Sequence, residues 1–554
     1  MLPFRPRDRL DTHVVVNQPP PLPDYNAFAD DPLMRPARLA GDAHAEDRAH
    51  LIAFGDRCGS LEAREWGALA NENPPRLKSF DRYGRRLDEV EFHPAYHALM
   101  DLGLSHGVAS RAWTRPGAGH TQHGALMMLM TQADSGVTCP MSMTYAVVPA
   151  LRASAWASAE WEPRVLVAGY DGRFLPASDK TGATMGMAMT EKQGGSDVRA
   201  NSTRAVSVGG DEVELAGHKW FCSAPMSDAL LTLAWEDAGL SCFLVPRWRP
   251  DGERNAIEIE RLKDKLGDRS NASAEIEYHG AWARRVGGAG RGVATIIQMV
   301  QHTRFDCVLG AAGVMRRALT EALWHCAHRT AFQRRLIDQP LMALTLADVA
   351  IEVEAAMALA FRLGGALDDG GEPDASAFAR LAIPAAKYWI TKRCTGAVNE
   401  CLEAHGGVGY VEETPMPRLF RQAPLNAIWE GSGNVIALDM RRALTREPAA
   451  LEAVAGELAS VAGVYAGLDA FAGRIVAACR APGEEIAMRG LVERLALALQ
   501  AAALIKTAPG FVADAFVRLR IDRPAMQYGA SGGIDTRAIL GRAMIGGGGT
   551  VAHA

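Results

Sequence analysis

The hydrophobic pattern of this chain changes period twice, and that change limits the fold more than any single motif. From Asp42 to about residue 160 the text is helical, broken at Asn73-Pro74-Pro75, Arg115-Pro116-Gly117 and Cys139-Pro140. Near Thr184 it turns into short runs such as DEVELAGHKWFCSA, LSCFLVPR and AIEIERL, separated by Gly, Asp and Asn clusters. Alternation as in Val213-Glu214-Leu215 and Ile257-Glu258-Ile259 has the period of a strand. From Gly292 apolar residues again recur at three and four. The order predicts an α+β, mainly α protein. A helical domain spans 41–180, a small barrel or two packed sheets spans 181–290, and a four-helix bundle spans 291–446. A further Ala/Leu-rich helical region covers 447–554. Leu126 to Met130 is apolar all round, which predicts a buried helix.

At 554 residues the chain exceeds one ordinary core. Net charge is −5, so any nucleic-acid surface must be local. Nine scattered cysteines form no Cys-x-x-Cys pair, so no metal site is expected. The N-terminus lacks an apolar signal segment, and the odd thiol count fits a reducing cytoplasm. The apolar stretch from Val454 to Cys479 is interrupted by Glu457, Asp469 and Arg474, which excludes a membrane span there. Residues 1–40 are a Pro-rich arm that cannot bury a core by itself. It is expected either to dangle or to pack across another subunit. The last residues, GGGGTVAHA, read as a flexible tail.

Four segments carry candidate chemistry. In 399–442 a Gly406-Gly407-x-Gly409-Tyr410 turn follows His405, and Glu430 stands before Gly431-Ser432-Gly433-Asn434. Glycine turns and helix starts offer free N–H groups to phosphates, and a carboxylate beside a cofactor is a candidate base. The same run also fits a plain loop with a solvated acid. Met189-Thr190-Glu191-Lys192-Gln193-Gly194-Gly195-Ser196-Asp197 supplies hydroxyls and N–H groups able to bond a heterocycle edge, or makes a polar turn. Lys219-Trp220-Phe221-Cys222-Ser223 places two aromatics beside a hydroxyl, suited to walling a flat ring or to a strand with a buried Trp. Arg329-Thr330-Ala331-Phe332, with Gln339 beyond, ends a long helix. Arg and an aromatic there suit an adenine and a phosphate, or simply an exposed basic helix end.

In this order, and over about residues 45 to 445, these segments resemble the flavin-dependent acyl-CoA dehydrogenase family. The resemblance departs at Gln333, where the family usually has Gly. It implies a homotetramer holding FAD between the β-domain and the bundle, partly from a neighbouring subunit. It assigns cofactor contacts to Met189, Thr190, Gly195, Ser196, Trp220, Phe221, Cys222, Ser223, Arg329, Phe332, Gln339, His405, Gly406, Gly407, Ser432 and Asn434. It implies α,β-dehydrogenation of an acyl-CoA, with Glu430 as the base and its backbone N–H at the thioester carbonyl. Nitroalkane oxidases, similar in fold, place Asp at the position of Glu430.

The Lys192-Gln193 form of the first motif, the Ile428-Trp429-Glu430-Gly431-Ser432-Gly433-Asn434 run, the arm and the C-terminal extension resemble the AidB-like branch of the family. That branch implies an alkylation-damage role, double-stranded DNA bound through the C-terminal region without sequence reading, and weak, isovaleryl-CoA-like dehydrogenation. The alternative is a dedicated short- or branched-chain acyl-CoA dehydrogenase with no DNA role. From residue 486 onward eight basic residues face four acidic ones, an excess of +4. Arg518, Arg520 and Arg523 are the candidate phosphate contacts.

Overall fold

The computed structural model describes residues 6–546, so most of the Gly-rich tail and the first five residues of the arm lie outside the described residues. From Leu22 onward the arm packs on its own chain, while residues 6–18 stay exposed. Leu22, Tyr25, Phe28, Leu33 and Met34 bury in the main core. Trp324 Nε1 donates to the Pro20 carbonyl at 2.8 Å. Arg316, fully buried, donates to Asp31 at 2.7 and 3.0 Å and to the carbonyl of Ala543 at 3.0 Å.

The first domain contains α1 (Ala45–Gly59), α2 (Leu61–Glu72), α3 (Pro94–Ser105), α4 (Arg111–Thr114), α5 (Gly119–Ala133), α6 (Thr138–Ala146), α7 (Val148–Leu151) and α8 (Ala155–Val165). Every residue of α5 is buried, as its all-round apolar text predicts. Each fully buried Leu or Met there contributes about 1.5–3 kcal/mol. The helices are interrupted by an antiparallel hairpin, β1 (Arg76–Phe80) and β2 (Arg86–Glu91), absent from the sequence-based expectation. Asn73-Pro74-Pro75 ends α2, and Leu77 and Val90 then pair face to face and lie against the core of the β-domain.

The β-domain is a closed barrel made from β3 (Met185–Ala188), β4 (Arg204–Gly209), β5 (Glu212–Ser223), β6 (Ala229–Glu236), β7 (Gly239–Pro246), β8 (Ile257–Leu262) and β9 (Ser273–Val286). The ring closes through β5–β9, β9–β7, β7–β6, the parallel β6–β3 pair and β3–β5. Strand β4 bridges β5 and β6, and β8 flanks β9. Closure removes the free edges that short strands otherwise expose.

The bundle is built from α9 (Gly292–His328), α10 (Pro340–Asp368) and α11 (Pro373–Ala404), followed by α12 (Met416–Gln422) and α13 (Gly433–Arg446). A hairpin of β10 (Thr330–Ala331) and β11 (Arg334–Arg335) joins α9 to α10. The C-terminal helices α14 (Pro448–Ala459), α16 (Met488–Thr507), α17 (Gly510–Val517) and α18 (Thr536–Ala543) bury against α10 and α11 in the same apolar core, and α15 (Ala466–Arg480) packs on α14 and α16. A π-helical turn, Arg518–Asp522, extends α17. No helix among the described residues is long and apolar enough to cross a membrane.

Candidate active site

Glu430 sits in the loop before α13 with φ +58°, a left-handed conformation that costs a non-glycine residue about 1–3 kcal/mol. The bundle offsets that cost by holding the loop from three sides. Thr303 Oγ1, on α9, donates to Glu430 Oε2 at 2.8 Å. Arg304 Nε donates to the Glu430 carbonyl at 3.0 Å while its Nη1 pairs with Asp439 at 2.6 Å. Lys387 Nζ, on α11, donates to the carbonyls of Trp429 and Gly431. The carbonyls of residues 429–431 are thus engaged, and the N–H of Glu430 has no protein partner among the described residues. Burial pushes the Glu430 carboxyl up, and Asp306 adds to that push. The Thr303 hydroxyl and the positive charges of Arg304 and Lys387 hold it partly down. Burial likewise lowers the Lys387 ammonium.

The flavin-motif residues of the β-domain are arranged around a bulge. Register shifts between Lys219 and Cys222, so the strand does not simply alternate there. Lys219 and Cys222 point into the barrel, while Phe221 is half-exposed and Trp220 partly so. Lys263 Nζ lies 3.2 Å from the Trp220 ring centroid. Cys222 has no exposed surface and belongs to the barrel core, so its side chain is not a cofactor contact. This corrects the sequence-based assignment. Ser223 remains partly exposed at the strand end. The buried Cys139 thiol is close enough to feel both the Ser223 hydroxyl and the Glu430 charge, which brings that strand end and the bundle loop to one region.

The loop after β3 is stapled from within. Glu191 is fully buried and accepts from Lys219 Nζ at 2.8 Å, Ser202 N at 2.6 Å and Thr203 Oγ1 at 2.6 Å. Burial opposes its charge, yet the Lys219 ammonium and these donors hold its carboxyl far below the usual range. The Thr190 carbonyl accepts from Trp220 N at 2.8 Å, which ties the first motif to the second. Met189 is partly buried, and Gly195 and Ser196 are exposed on the loop beyond.

The remaining assigned residues lie elsewhere. Arg329 caps the C-terminus of α9, and its guanidinium donates to the Asn17 carbonyl of the arm. Phe332 and Gln333 have φ +49° and +62°, so Gln333 adopts the conformation in which glycine is unstrained. Phe332 is 91% exposed. Gln339 Nε2 donates to the Ala331 carbonyl at 2.9 Å. His405, at the end of α11, lies with its ring centroid 4.5 Å from that of His325 and tilted to it, one turn before Arg329, and Gly406 and Gly407 follow as exposed backbone. Thr303 and Arg329 are 26 residues apart along α9, about 39 Å at about 1.5 Å per residue. That span exceeds one extended FAD. The Arg329–Gln339 and His405–Gly407 group and the Glu430 group therefore do not serve the same bound dinucleotide within one chain. Ser432 and Asn434 are exposed at the start of α13, beside Glu430.

The candidate DNA residues divide. Arg520 Nη2 pairs with Asp348 at 2.6 Å and with Glu352 at 2.9 Å, and its side chain is 9% exposed. It is a clamp between the C-terminal helices and α10, not a phosphate contact, which corrects the sequence-based assignment. Arg518 donates to the Gly532 carbonyl, and Arg523 is exposed. No cluster of His, Cys, Asp or Glu suited to a metal ion occurs among the described residues.

Family models match three successive parts of the chain. They are the adaptive response protein AidB N-terminal domain at residues 17–172, the acyl-CoA dehydrogenase middle domain at 186–281 and the acyl-CoA dehydrogenase C-terminal domain at 290–445. The chain is 42% identical to AidB of Escherichia coli over 92% of its own length and 95% of that protein. It is 34% identical to acyl-CoA dehydrogenase family member 11 of Caenorhabditis elegans over 76% of its own length and 70% of that protein. The crystal structure of Caenorhabditis elegans ACDH-11 in complex with C11-CoA is similar with a TM-score of 0.82 at 27% identity, covering 94% of each chain. An acyl-CoA dehydrogenase complexed with FAD from Bacillus anthracis shares the fold at 16% identity, with a TM-score of 0.60 over 77% of this chain and 82% of that one.

Proposed function

The chain belongs to the acyl-CoA dehydrogenase family, in its AidB-like branch, and on that premise we propose that it oxidises an acyl-CoA thioester with Glu430 as base. The observation that carries the reading is the loop of residues 429–431. Its three carbonyls are held by Arg304 and Lys387, its carboxylate is aimed by Thr303, and the Glu430 N–H is left without a protein partner among the described residues. Enzymes of this family use FAD, which when bound supplies a hydride acceptor. Exposed Phe221, partly exposed Trp220, the loop around Gly195 and Ser196 and the exposed glycines at 406 and 407 fit such a group. In each case backbone or an aromatic face is open to receive it.

Glu430 takes the α proton of the thioester on its carboxylate. Burial raises its proton affinity and makes it a stronger base than an exposed Glu. The free N–H of Glu430 donates to the thioester carbonyl, which acidifies that proton. The separation of the two cofactor groups along α9, with Phe332, Leu341 and Tyr410 at least 80% exposed, supports a homotetramer in which neighbouring chains share each FAD. Nine buried free thiols fit a cytoplasmic location.

A second role, duplex DNA binding in the response to alkylation damage, is favoured by the charge of the C-terminal helices. Arg494, Arg518, Arg523 and Arg537 pair with no carboxylate among the described residues, whereas Lys506, Arg520 and Arg542 do. Such cations engage phosphate without reading sequence. Anaerobic titration of the yellow protein with a panel of acyl-CoAs, with and without duplex DNA, tests both roles. No bleaching by any acyl-CoA removes the first, and no salt-sensitive DNA binding removes the second.

A further inference from the structure

A cavity of about 200 Å³ lies between the arm, α10 and the C-terminal helices, and none of the residues assigned to the cofactor or the base lines it. One stripe of α10 forms a wall, on which Glu354, Ala358, Phe361, Gly365 and Asp369 recur at three and four. The arm supplies Leu33, Pro36 and Ala37, and α16 supplies Ala503. An apolar cavity of about 150 Å³ takes up benzene, so this one has room for a compact organic molecule. Its charge is one-sided. Five cations line it, Arg35, Arg38, Arg362, Lys506 and Arg542, against two carboxylates, Glu354 and Asp369. Both carboxylates are already engaged, Glu354 by Arg542 at 2.9 Å and Asp369 by Arg38 at 2.9 Å. Asp368 and Glu457 pair with lining cations from outside the cavity, which brings the balance to five against four. Glu457 is shared, since it accepts from Arg362 at 2.9 Å and from Lys506 at 2.7 Å. The Arg35 guanidinium donates to the Ala29 carbonyl at 2.9 Å and to no carboxylate among the described residues.

We propose that this cavity is a second ligand site, separate from the candidate active site, which takes a small-molecule carboxylate with a compact apolar body. The body lies against Leu33, Ala358, Phe361 and Ala503, and the carboxylate takes up the charge of Arg35 and Lys506, the two lining cations least compensated within the chain. A cationic ligand finds no free carboxylate there, because Glu354 and Asp369 already hold arginines. The ligand touches the arm, α10 and α16 at once, so its binding fastens the C-terminal helices to the bundle and to the arm. The site does not depend on the dehydrogenase reading.

The test uses the full chain with its flavin, and benzoate, hexanoate and hexylamine as probes in calorimetry and thermal unfolding. Both carboxylates are expected to bind and to raise the melting temperature with their concentration, as a ligand specific to the folded form does, while the flavin spectrum stays unchanged. Hexylamine is expected to do neither. Arg35→Gln and Lys506→Gln should each weaken carboxylate binding about fivefold, the size of one partly exposed ionic contact. Ala358→Leu, at a partly open position of the wall, fills the space and should abolish binding with a native circular dichroism spectrum. No binding of either carboxylate at millimolar concentration, or equal binding of hexylamine, overturns the proposal. So does parent-like affinity in the Arg35→Gln, Lys506→Gln double variant. Binding that survives Ala358→Leu, or that shifts the flavin spectrum, puts the carboxylate elsewhere and overturns it as well.

Discussion

Thr303 Oγ1 donates to Glu430 Oε2 at 2.8 Å, so a hydroxyl on the longest helix of the bundle aims a carboxylate carried 127 residues later in the chain. The bond favours the ionised carboxylate, while burial favours the neutral acid. The balance leaves a carboxyl group that is oriented and has a raised proton affinity.

Glu430→Gln keeps the shape of the side chain and removes its basicity. The variant should retain bound flavin and lose at least about 10³-fold in the rate of flavin reduction by acyl-CoA. Stopped-flow reduction under anaerobic conditions measures this, and a rate like the parent's would show that Glu430 is not the base.

The pH profile of the same reduction follows from the direction of the shift. The active form is deprotonated, so the rate should rise with pH through an inflection above about 4.3, the ordinary Glu value. Thr303→Val removes a bond to the ionised form and should move that inflection higher, while Thr303→Ser should keep it. An inflection that stays put in Thr303→Val would separate the two residues.

The segments around Trp220, Arg329, Gly406 and Glu430 stand out in the sequence because they are short and local. The partners that aim Glu430 were not legible. Thr303, Arg304 and Lys387 lie inside long helices, where a polar residue looks the same whether it faces water or a loop. Cys222 misled for a different reason: a bulge at Trp220 and Phe221 reverses the alternation that the strand text suggests. Arg520 looked like surface charge because its carboxylates, Asp348 and Glu352, are 172 and 168 residues away. The change of hydrophobic period announced the barrel, but the hairpin at Arg76–Glu91 was too short to stand out from the helices around it.

Glu191 and Lys219 form a fully buried pair, and its stability effect has a defined sign. The Glu191 carboxyl is depressed in the folded state, so its contribution is present above the unfolded value near about 4.3 and is lost as pH falls from there toward the folded value. Glu191→Gln leaves the Lys219 ammonium unpaired inside the barrel and should cost about 3–5 kcal/mol in urea unfolding. The double variant Glu191→Gln with Lys219→Met should recover part of that loss.

The proposed DNA surface and the clamp beside it can be told apart by salt. Arg518→Gln with Arg523→Gln should weaken duplex binding and reduce the slope of log affinity against log salt by about 1–2, at about 0.9 for each phosphate no longer neutralised. Arg520→Gln should lower stability by about 3–5 kcal/mol, because it uncovers Asp348 and Glu352, and leave the slope unchanged. The reverse pattern would return Arg520 to the surface.

Arg316 joins residues made at well-separated times in synthesis. Asp31 is made before the arginine and the Ala543 carbonyl after it, more than two hundred residues on either side. Until α18 has been made, the guanidinium lacks one of its acceptors. A chain stopped short of α18 therefore leaves a buried guanidinium short of a partner in its longest helix.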